Sequence, residues 1–277
     1  MKKFLICTAM IMALIMTGGK ATAVLFGDGG VGLQTVLDNI TLGPYPGISS
    51  TNVLTDALTD NMDSYWSIHT SLGSVISMII EETIWAGTNT FGVYDADDPT
   101  KRIPIWGPAT TKYQALLSIL SDGSVIVNFV DSGIDFTGNK IGYYLDSTAG
   151  HPGWTGGAWY SDSSLNADGM DHMVAYQGKG IDTVQILQSA PGLWDTDEHI
   201  FAFEDLHSMH WGNGNGINDG YPEWSDIEPD FTDFVFMVES ADLAEYPDLT
   251  TPEPATILLL SLGFIGIVGI NRKKFTG

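Results

Sequence analysis

Cysteine is almost absent from this chain: Cys7 is the only one among its 277 residues. It lies in an apolar stretch near the N-terminus, so the rest of the sequence has no thiol. A single cysteine cannot close an intrachain disulfide, and the residues that follow it cannot supply a cysteine nucleophile. Without disulfides, the fold must be held by an apolar core, by bound ions or by both.

Basic residues are also scarce. The chain holds 11 lysines and arginines against 34 aspartates and glutamates, which gives a formal net charge of −23. Residues 24–254 keep five of the basic residues and all of the acidic ones, so their formal charge is −29. This composition excludes a nucleic-acid partner, because no basic surface is available to displace counterions from phosphates.

The acidic excess has three interpretations: solubility, self-repulsion in a disordered chain, or carboxylates that bind cations. Disorder is disfavoured, because residues 24–254 are rich in aromatic and β-branched side chains and have no low-complexity run. Calcium is the cofactor that we expect, since Ca²⁺ takes oxygen ligands and relieves the repulsion between carboxylates.

The N-terminus has the pattern of an export signal. Lys2 and Lys3 precede an apolar stretch at residues 4–16, and Ala21 and Ala23 form a small-x-small cleavage site. A membrane anchor that is never cut is the alternative, but the apolar stretch falls short of the roughly 20 residues that a span needs. We therefore predict that residues 1–23 are a signal peptide, removed by signal peptidase, and that the mature chain starts at Val24.

The C-terminus has a second apolar segment. Residues 255–270 carry no charge, and Arg272, Lys273 and Lys274 follow almost at once. A buried core helix is the alternative, but such a helix is amphipathic and this one is apolar all round. The pattern predicts a transmembrane helix over 255–270 whose basic end stays in the cytoplasm, so that the bulk of the protein lies outside the inner membrane.

A Pro-Glu-Pro triplet precedes this helix. Pro252, Glu253 and Pro254, then the apolar helix, then the basic cluster closely resemble the PEP-CTERM sorting signal of Gram-negative bacteria. The resemblance implies that residues 250–277 are recognised by exosortase, a membrane protease-transpeptidase, and that the protein is associated with exopolysaccharide or biofilm matrix. The two prolines also hold the chain extended and end the folded domain before the membrane.

Between the two ends, residues 24–249 have the pattern of one all-β sandwich domain. Apolar runs rich in β-branched and aromatic residues are separated by clusters of Gly, Asp, Asn and Ser. The predicted strands are residues 74–83, 90–94, 113–120, 125–130, 141–145, 172–176, 200–203 and 231–239, and residues 32–40 are predicted to form a short helix. Asp122-Gly123 predicts a type I′ hairpin turn between two of the strands.

Several segments carry a second resemblance. The stretches "FGDGGVGLQTVLDNIT" (26–41), "NTFGVYD" (89–95), "YSDSSLNADGMDHMVAYQG" (160–178), "FAFEDL" (201–206) and "DFTDFVFMVES" (230–240) are similar, in order, to the bacterial domain of unknown function 4114. The resemblance implies a jelly-roll-like antiparallel β-sandwich in secreted or surface proteins, with an acidic terminal strand suspected of holding calcium. It implies no established activity. Thr232 stands where such proteins usually have another potential ligand.

The acidic stretch 204–233 is the best candidate for a cation site, because its glycines and asparagines let the loop curl and expose carbonyl oxygens to Ca²⁺. The candidate ligands are Glu204, Asp205, Asp219, Asp230 and Asp233. On a regular strand Asp230 and Asp233 face opposite ways, so both can bind one ion only if the strand starts after them. A solvated acidic loop is the alternative interpretation.

Asp168 and Asp171, close to His172, form the second candidate metal site. A tight turn capped by aspartate side chains explains this stretch equally well.

No catalytic signature is present: the sequence has neither a Gly-x-Ser-x-Gly elbow nor a His-Glu-x-x-His helix. We therefore expect a non-enzymatic, exported, calcium-stabilised β-sandwich, delivered to the cell surface or an extracellular polysaccharide matrix. The alternative is a carbohydrate-binding module or a polysaccharide-active enzyme, in which paired carboxylates and exposed aromatics contact a sugar. The aromatics considered for that role are Trp154, Trp159, Trp194, Trp211 and Trp224.

Overall fold

A computed structural model describes residues 32–68, 73–81, 86–108, 110, 112–149, 157–187, 189–205 and 231–244. The chain divides into two compact units, residues 1–242 and residues 243–277. The second unit is described at residues 243 and 244 alone. The predicted signal peptide and the predicted membrane span lie outside the described residues. Within them, no helix has the length and hydropathy of a membrane span.

The larger of two main sheets has seven strands. In spatial order they are β11 (Met173–Gln177), β14 (Glu198–Phe203), β15 (Phe234–Glu239), β3 (Ser74–Ile80), β6 (Gln114–Ile119), β7 (Ser124–Val127) and β8 (Val130–Asp135). All six neighbouring pairs are antiparallel.

The second sheet has six strands. Its order is β16 (Ala241–Leu243), β2 (Trp66–Ile68), β9 (Lys140–Asp146), β4 (Thr90–Asp95) and β5 (Asp98–Trp106), and β10 (Trp159–Tyr160) also pairs with β9. A three-stranded sheet combines β1 (Thr41–Gly43), β12 (Thr183–Val184) and β13 (Gly192–Leu193). The described helices are α1 (Leu33–Ile40), α2 (Asp60–Asp63) and a 3₁₀ turn at Ser163–Leu165.

The two main sheets pack face to face through aromatic rings. Phe91 on β4 lies 4.4 Å from Phe236 on β15, measured between ring centroids, and Tyr143 on β9 lies 4.9 Å from Phe201 on β14. The side chains that alternate with these point to the opposite face of the seven-stranded sheet. The predicted all-β sandwich is confirmed.

The opposite face of β14 and β15 is also buried. Ile200, Ala202, Val235 and Met237 pack there with the apolar side of α1, formed by Leu33, Val36 and Leu37. These three residues lie on one side of a helix because their spacing is three and four. The predicted helix over 32–40 is thereby confirmed, and the two central strands are buried on both faces, which explains their near-continuous apolar sequences.

The turn after β6 differs from the predicted type. Of Asp122 and Gly123, only Gly123 has a positive φ, of 94°. The Gly123 amide donates to the Leu120 carbonyl (3.0 Å), and the Ser124 amide donates to Asp122 Oδ1 (3.1 Å). This is a longer hairpin loop, in which an ordinary turn is followed by one left-handed glycine. The predicted antiparallel pairing of the flanking strands is confirmed.

Two predicted strands have different bounds. The strand predicted over 125–130 is interrupted, because Asn128 and Phe129 have φ values of 52° and 66° and reverse the chain between β7 and β8. The strand predicted over 231–239 begins at Phe234, so Asp233 precedes it. The strand predicted over 74–83 is confirmed at residues 74–80.

Candidate metal centre

Three of the predicted ligands come together at the end of the central strands. Glu204 and Asp205 follow β14, and Asp233 precedes β15. The register pairs Phe203 with Phe234, so the acidic residues beyond these two phenylalanines lie across from each other. Glu204, Asp205 and Asp233 are buried, and each offers a carboxylate oxygen within 4.8 Å of the others. We call these three residues the strand-end cluster.

The strand-end cluster has its own hydrogen bonds. The Asp205 amide donates to Asp233 Oδ2 (2.7 Å), and Asn89 Nδ2 donates to Asp205 Oδ2 (3.1 Å). The indole N–H of Trp159 donates to the Asp205 carbonyl (2.7 Å). Each bond fixes the position of Asp205 or Asp233, so the carboxylates of these two residues are held in place by the protein itself.

Two further polar groups approach the cluster from neighbouring elements. Asn89, just before β4, is 3% exposed, and its Oδ1 has no hydrogen-bond partner within the described ranges. Glu81 directly follows β3, the strand next to β15. Burial, and then the charge of Asp205, raise the pKa of Glu81 to about 7, while a hydrogen bond with Asn89 opposes the rise.

This arrangement fits a calcium ion. Ligand atoms lie about 2.3–2.6 Å from Ca²⁺, so two ligands of one ion are at most about 5 Å apart. The three carboxylates of the strand-end cluster meet this limit. Asn89 Oδ1 adds a neutral oxygen of the kind that Ca²⁺ accepts together with carboxylates. Of the described residues, Glu204, Asp205, Asp233 and Asn89 are those that would hold the ion.

His172 contacts the backbone of Glu204 in the strand-end cluster. The His172 carbonyl accepts from the Glu204 amide (3.0 Å), and its ring Nδ1 lies 3.0 Å from the Glu204 carbonyl. Ring Nε2 lies 3.0 Å from Asp168 Oδ2. The ring stacks on Trp159 at 3.7 Å between centroids. Both ring nitrogens therefore face oxygen atoms, and the ring is fixed between Glu204, Asp168 and Trp159.

The second candidate pair is divided by the structure. Asp168 contacts His172, whereas Asp171 lies near α2 and interacts with Asp60 and Asp63. Both aspartates also cap backbone amides two residues on, Met170 for Asp168 (3.1 Å) and Met173 for Asp171 (3.0 Å). The tight turn proposed as the alternative for this stretch therefore accounts for one carboxylate oxygen of Asp168 and one of Asp171.

The remaining predicted site residues fall elsewhere. Several of these lie outside the described residues: Asp219, Asp230 and the processing residues Ala21, Ala23, Pro252, Glu253, Pro254, Arg272, Lys273 and Lys274.

Two of the tryptophans expected to be exposed for a sugar are buried instead. Trp159 and Trp194 are each 1% exposed, so that expectation is wrong for both. Their indole N–H groups donate inside the protein, to the carbonyls of Asp205 and Glu198. Trp154, Trp211 and Trp224 are outside the described ranges.

The comparisons with known proteins identify one segment. Residues 250–273 match the PEP-CTERM protein-sorting motif. This match supports an exported protein that passes through membrane-anchored sorting and is processed by exosortase. No curated protein and no solved structure matches the chain.

Proposed function

We propose that this chain, an exported protein with a PEP-CTERM sorting motif, is a non-enzymatic component of the cell surface or extracellular matrix whose β-sandwich is stabilised by calcium. The ion binds at the strand-end cluster. After export, exosortase processes the tail, and the folded domain remains associated with exopolysaccharide or biofilm. Resemblance to domain of unknown function 4114 and a jelly-roll-like sandwich are part of this proposal.

The observation that carries the calcium assignment is the convergence of Glu204, Asp205 and Asp233 in the protein interior. Burying three carboxylates together costs free energy unless a positive charge compensates them. Asn89, whose Nδ2 donates to Asp205, also has a buried Oδ1 with no partner among the described residues, which supports an ion as the compensating charge. Ca²⁺ suits a set made only of oxygen ligands.

The position of the cluster supports a structural role. Its residues lie where two adjacent strands, β14 and β15, end and begin, and Glu81 follows β3, the next strand of the sheet. An ion at this place ties the central strands of the sandwich together in a chain that cannot use disulfides. Two of the aromatics considered for sugar binding are core residues. We therefore favour a stabilised surface protein over the carbohydrate-active alternative.

The test is metal analysis and thermal unfolding of the purified full-length chain, with Ca²⁺ and with EGTA. We expect bound calcium in the purified protein and a higher unfolding midpoint with Ca²⁺. At a free concentration a hundredfold above Kd, one site stabilises the fold by about 2.7 kcal/mol. The matched variants are Asp233→Asn, in the cluster, and Asp97→Asn, which changes an exposed aspartate. Only Asp233→Asn is expected to lower the calcium response, and an unchanged midpoint in EGTA contradicts the proposal.

The sorting part has its own test. Replacing Pro252 and Pro254 with alanine is expected to leave the full-length chain in the inner membrane, because the sorting motif is no longer recognised. Cell fractionation and immunoblotting with an antibody against the folded domain measure this. Normal release of the variant contradicts processing at the motif and leaves the calcium assignment untouched.

A further inference from the structure

His172 is a buried histidine that lies next to the strand-end cluster without belonging to it. It directly precedes β11, and Glu204 directly follows β14, the strand that pairs with β11, so the two residues lie across from each other. Among the described residues, the ligand atoms that converge come from the three members of the strand-end cluster and not from His172. Any effect of the histidine on an ion must therefore act through the residues of the cluster.

His172 holds both polar backbone groups of Glu204. The Glu204 amide donates to the His172 carbonyl (3.0 Å), and ring Nδ1 of His172 lies 3.0 Å from the Glu204 carbonyl oxygen. A carbonyl oxygen can only accept, so Nδ1 carries the hydrogen of this contact. Because the histidine is 0% exposed, water does not compete for the contact. The backbone from which the Glu204 side chain extends is therefore fixed by one neighbouring residue.

A second ring holds the next residue of the cluster in the same way. The indole N–H of Trp159 donates to the Asp205 carbonyl (2.7 Å), and Trp159 is buried as well. The rings of His172 and Trp159 stack on each other, 3.7 Å apart between centroids and 6° from parallel. Two stacked rings thus contact the consecutive carbonyls of Glu204 and Asp205. A shift of either ring moves the backbone that carries two of the three carboxylates.

Asp168 fixes the far side of the histidine ring. Its Oδ2 lies 3.0 Å from ring Nε2 of His172, and both side chains are almost fully buried. Its other oxygen, Oδ1, accepts from the Met170 amide (3.1 Å) and so holds the carboxylate in one orientation. Residues outside a metal site orient its ligands through hydrogen bonds of this kind. The contacts run in order from Asp168 through His172 to the backbone of Glu204.

We propose that Asp168, His172 and Trp159 are positioning residues of the strand-end cluster. They fix the backbone of Glu204 and Asp205, so that the two carboxylates stay within the separation that one ion requires. This role rests on the proposed function, since it requires an ion at the cluster. A phenyl or aliphatic side chain fills a buried space without the cost of burying two polar nitrogens, so the histidine points to positioning rather than to packing alone.

The test measures the calcium affinity of the full-length chain by isothermal titration calorimetry. Asp168→Ala removes the partner of ring Nε2. We expect it to bind Ca²⁺ about tenfold more weakly than the wild type, the usual effect of removing a residue that orients a metal site. The matched control is Asp131→Ala. Asp131 also caps an amide two residues on, that of Gly133 (2.8 Å), but it is exposed on the edge strand β8.

The control and a conservative variant separate positioning from charge. Asp131→Ala loses the same acidic charge and is expected to keep the wild-type affinity. Asp168→Asn also loses the charge but keeps a polar atom facing ring Nε2, so it is expected to recover most of the affinity that Asp168→Ala loses. A tenfold loss in Asp131→Ala, or equal losses in the two Asp168 variants, overturns the proposal.

His172→Phe provides a second arm. It keeps a ring stacked on Trp159 and removes both polar contacts, so its calcium affinity is expected to fall at least as far as that of Asp168→Ala. Because the two residues act in one series of contacts, the double variant is expected to bind no more weakly than His172→Phe alone. Additive losses overturn the proposal. If His172→Phe does not fold, the two Asp168 variants decide the question.

The outcomes distinguish this role from the calcium site itself. If the wild type binds no calcium, or if Asp233→Asn binds it as well as the wild type does, this role and the strand-end assignment both fail. If the wild type binds calcium, Asp233→Asn does not, and the variants of Asp168 and His172 keep the wild-type affinity, only this role is overturned. A residue that merely stabilises the fold changes the urea midpoint in EGTA and leaves the calcium affinity of the folded chain unchanged.

Discussion

Two groups of carboxylates resemble each other and differ in one respect: the strand-end cluster, and the group of Asp60, Asp63 and Asp171, which we call the helix-edge cluster. A tryptophan lies beside each group, and its indole N–H donates to a backbone carbonyl of the group, Trp159 to Asp205 and Trp66 to Asp63, at 2.7 Å in both. The strand-end carboxylates also accept hydrogen bonds from the Asp205 amide and from Asn89. The central carboxylate of the helix-edge cluster accepts none within the described residues.

The difference separates two ways of holding buried negative charge. In the strand-end cluster, part of the stabilisation comes from fixed protein donors, so the geometry exists before an ion arrives. In the helix-edge cluster, burial and the charges of Asp171 and Asp60 oppose ionisation of Asp63, and no donor among the described residues completes a hydrogen bond with its carboxylate. The carboxylates of the first cluster should therefore contribute to stability without an ion, and the carboxylate of Asp63 should not.

The first prediction tests this directly by urea unfolding in EGTA. Asp233→Ala is expected to lower the free energy of unfolding by about 2 kcal/mol, because the buried Asp205 amide loses its acceptor. Asp63→Asn is expected to lower it by nothing or to raise it, because burial and the charges of Asp171 and Asp60 raise the pKa of Asp63, and asparagine removes the cost of protonating this side chain on folding. Equal losses in the two variants contradict the distinction. Circular dichroism follows the transition, and Asp97→Asn is the control.

A second prediction concerns the stability of the fold in acid, which depends on His199. His199 is 2% exposed and lies against Trp66, at 4.7 Å between ring centroids. Burial lowers the pKa of His199 to about 4, and the charge of Asp197 and the backbone of Ala241 oppose the shift. Between its unfolded pKa, about 6.5, and the folded one, only the unfolded chain binds the proton, so stability falls as pH falls through this window.

The loss at His199 amounts to about 3 kcal/mol by pH 4. His199→Phe keeps an aromatic ring against Trp66 and removes the titration. The difference in free energy of unfolding between wild type and variant should therefore change between pH 7 and pH 4, in favour of the variant. Urea unfolding at several pH values measures it, and a constant difference contradicts the prediction. Titration of the carboxylates is common to both proteins and cancels in the comparison.

The smallest predicted effect concerns Asn89, which donates to Asp205 in the strand-end cluster. Asn89→Asp replaces a donor to Asp205 with another carboxylate. With Ca²⁺ the new ligand charge is expected to raise the free energy of unfolding by about 1 kcal/mol, and in EGTA the repulsion is expected to lower it by about 1 kcal/mol. The exposed Asn39→Asp serves as control, with the same effect in both media. A change of the same sign in both media contradicts a role for position 89 at an ion.

The sequence predicted the central strands well, because their alternating aromatic and aliphatic residues face two buried surfaces. It missed β5 and β8, which lie at the ends of their sheets. β5 contains Lys101, Arg102 and Pro104, and the side chains of β8 are mostly exposed, so neither has the apolar periodicity of a buried strand. Edge strands carry such residues as protection against further pairing, which removes the signal used to find them.

The candidate site was predictable only in part. Glu204, Asp205 and Asp233 stand in acidic stretches that flank predicted strands, and pairing of those strands brings them together. Asn89 and Glu81 join them because β3 and β4 lie nearby, and this depends on strand order, which the sequence pattern does not give. Asp63 carries no local signal at all: its neighbour Asp171 lies far along the chain, and the docking of a four-residue helix brings them together.

The place of β15 in its sheet has a consequence for the route that the protein takes out of the cell. β15 lies between β14 and β3, so without residues 234–239 the larger sheet remains in two separate pieces. These residues come shortly before the sorting motif at 250–273. If the chain is exported from its N-terminus, the middle of this sheet leaves the cytoplasm shortly before the sorting motif does. Completion of the sheet and recognition of the motif would then be neighbouring events in time.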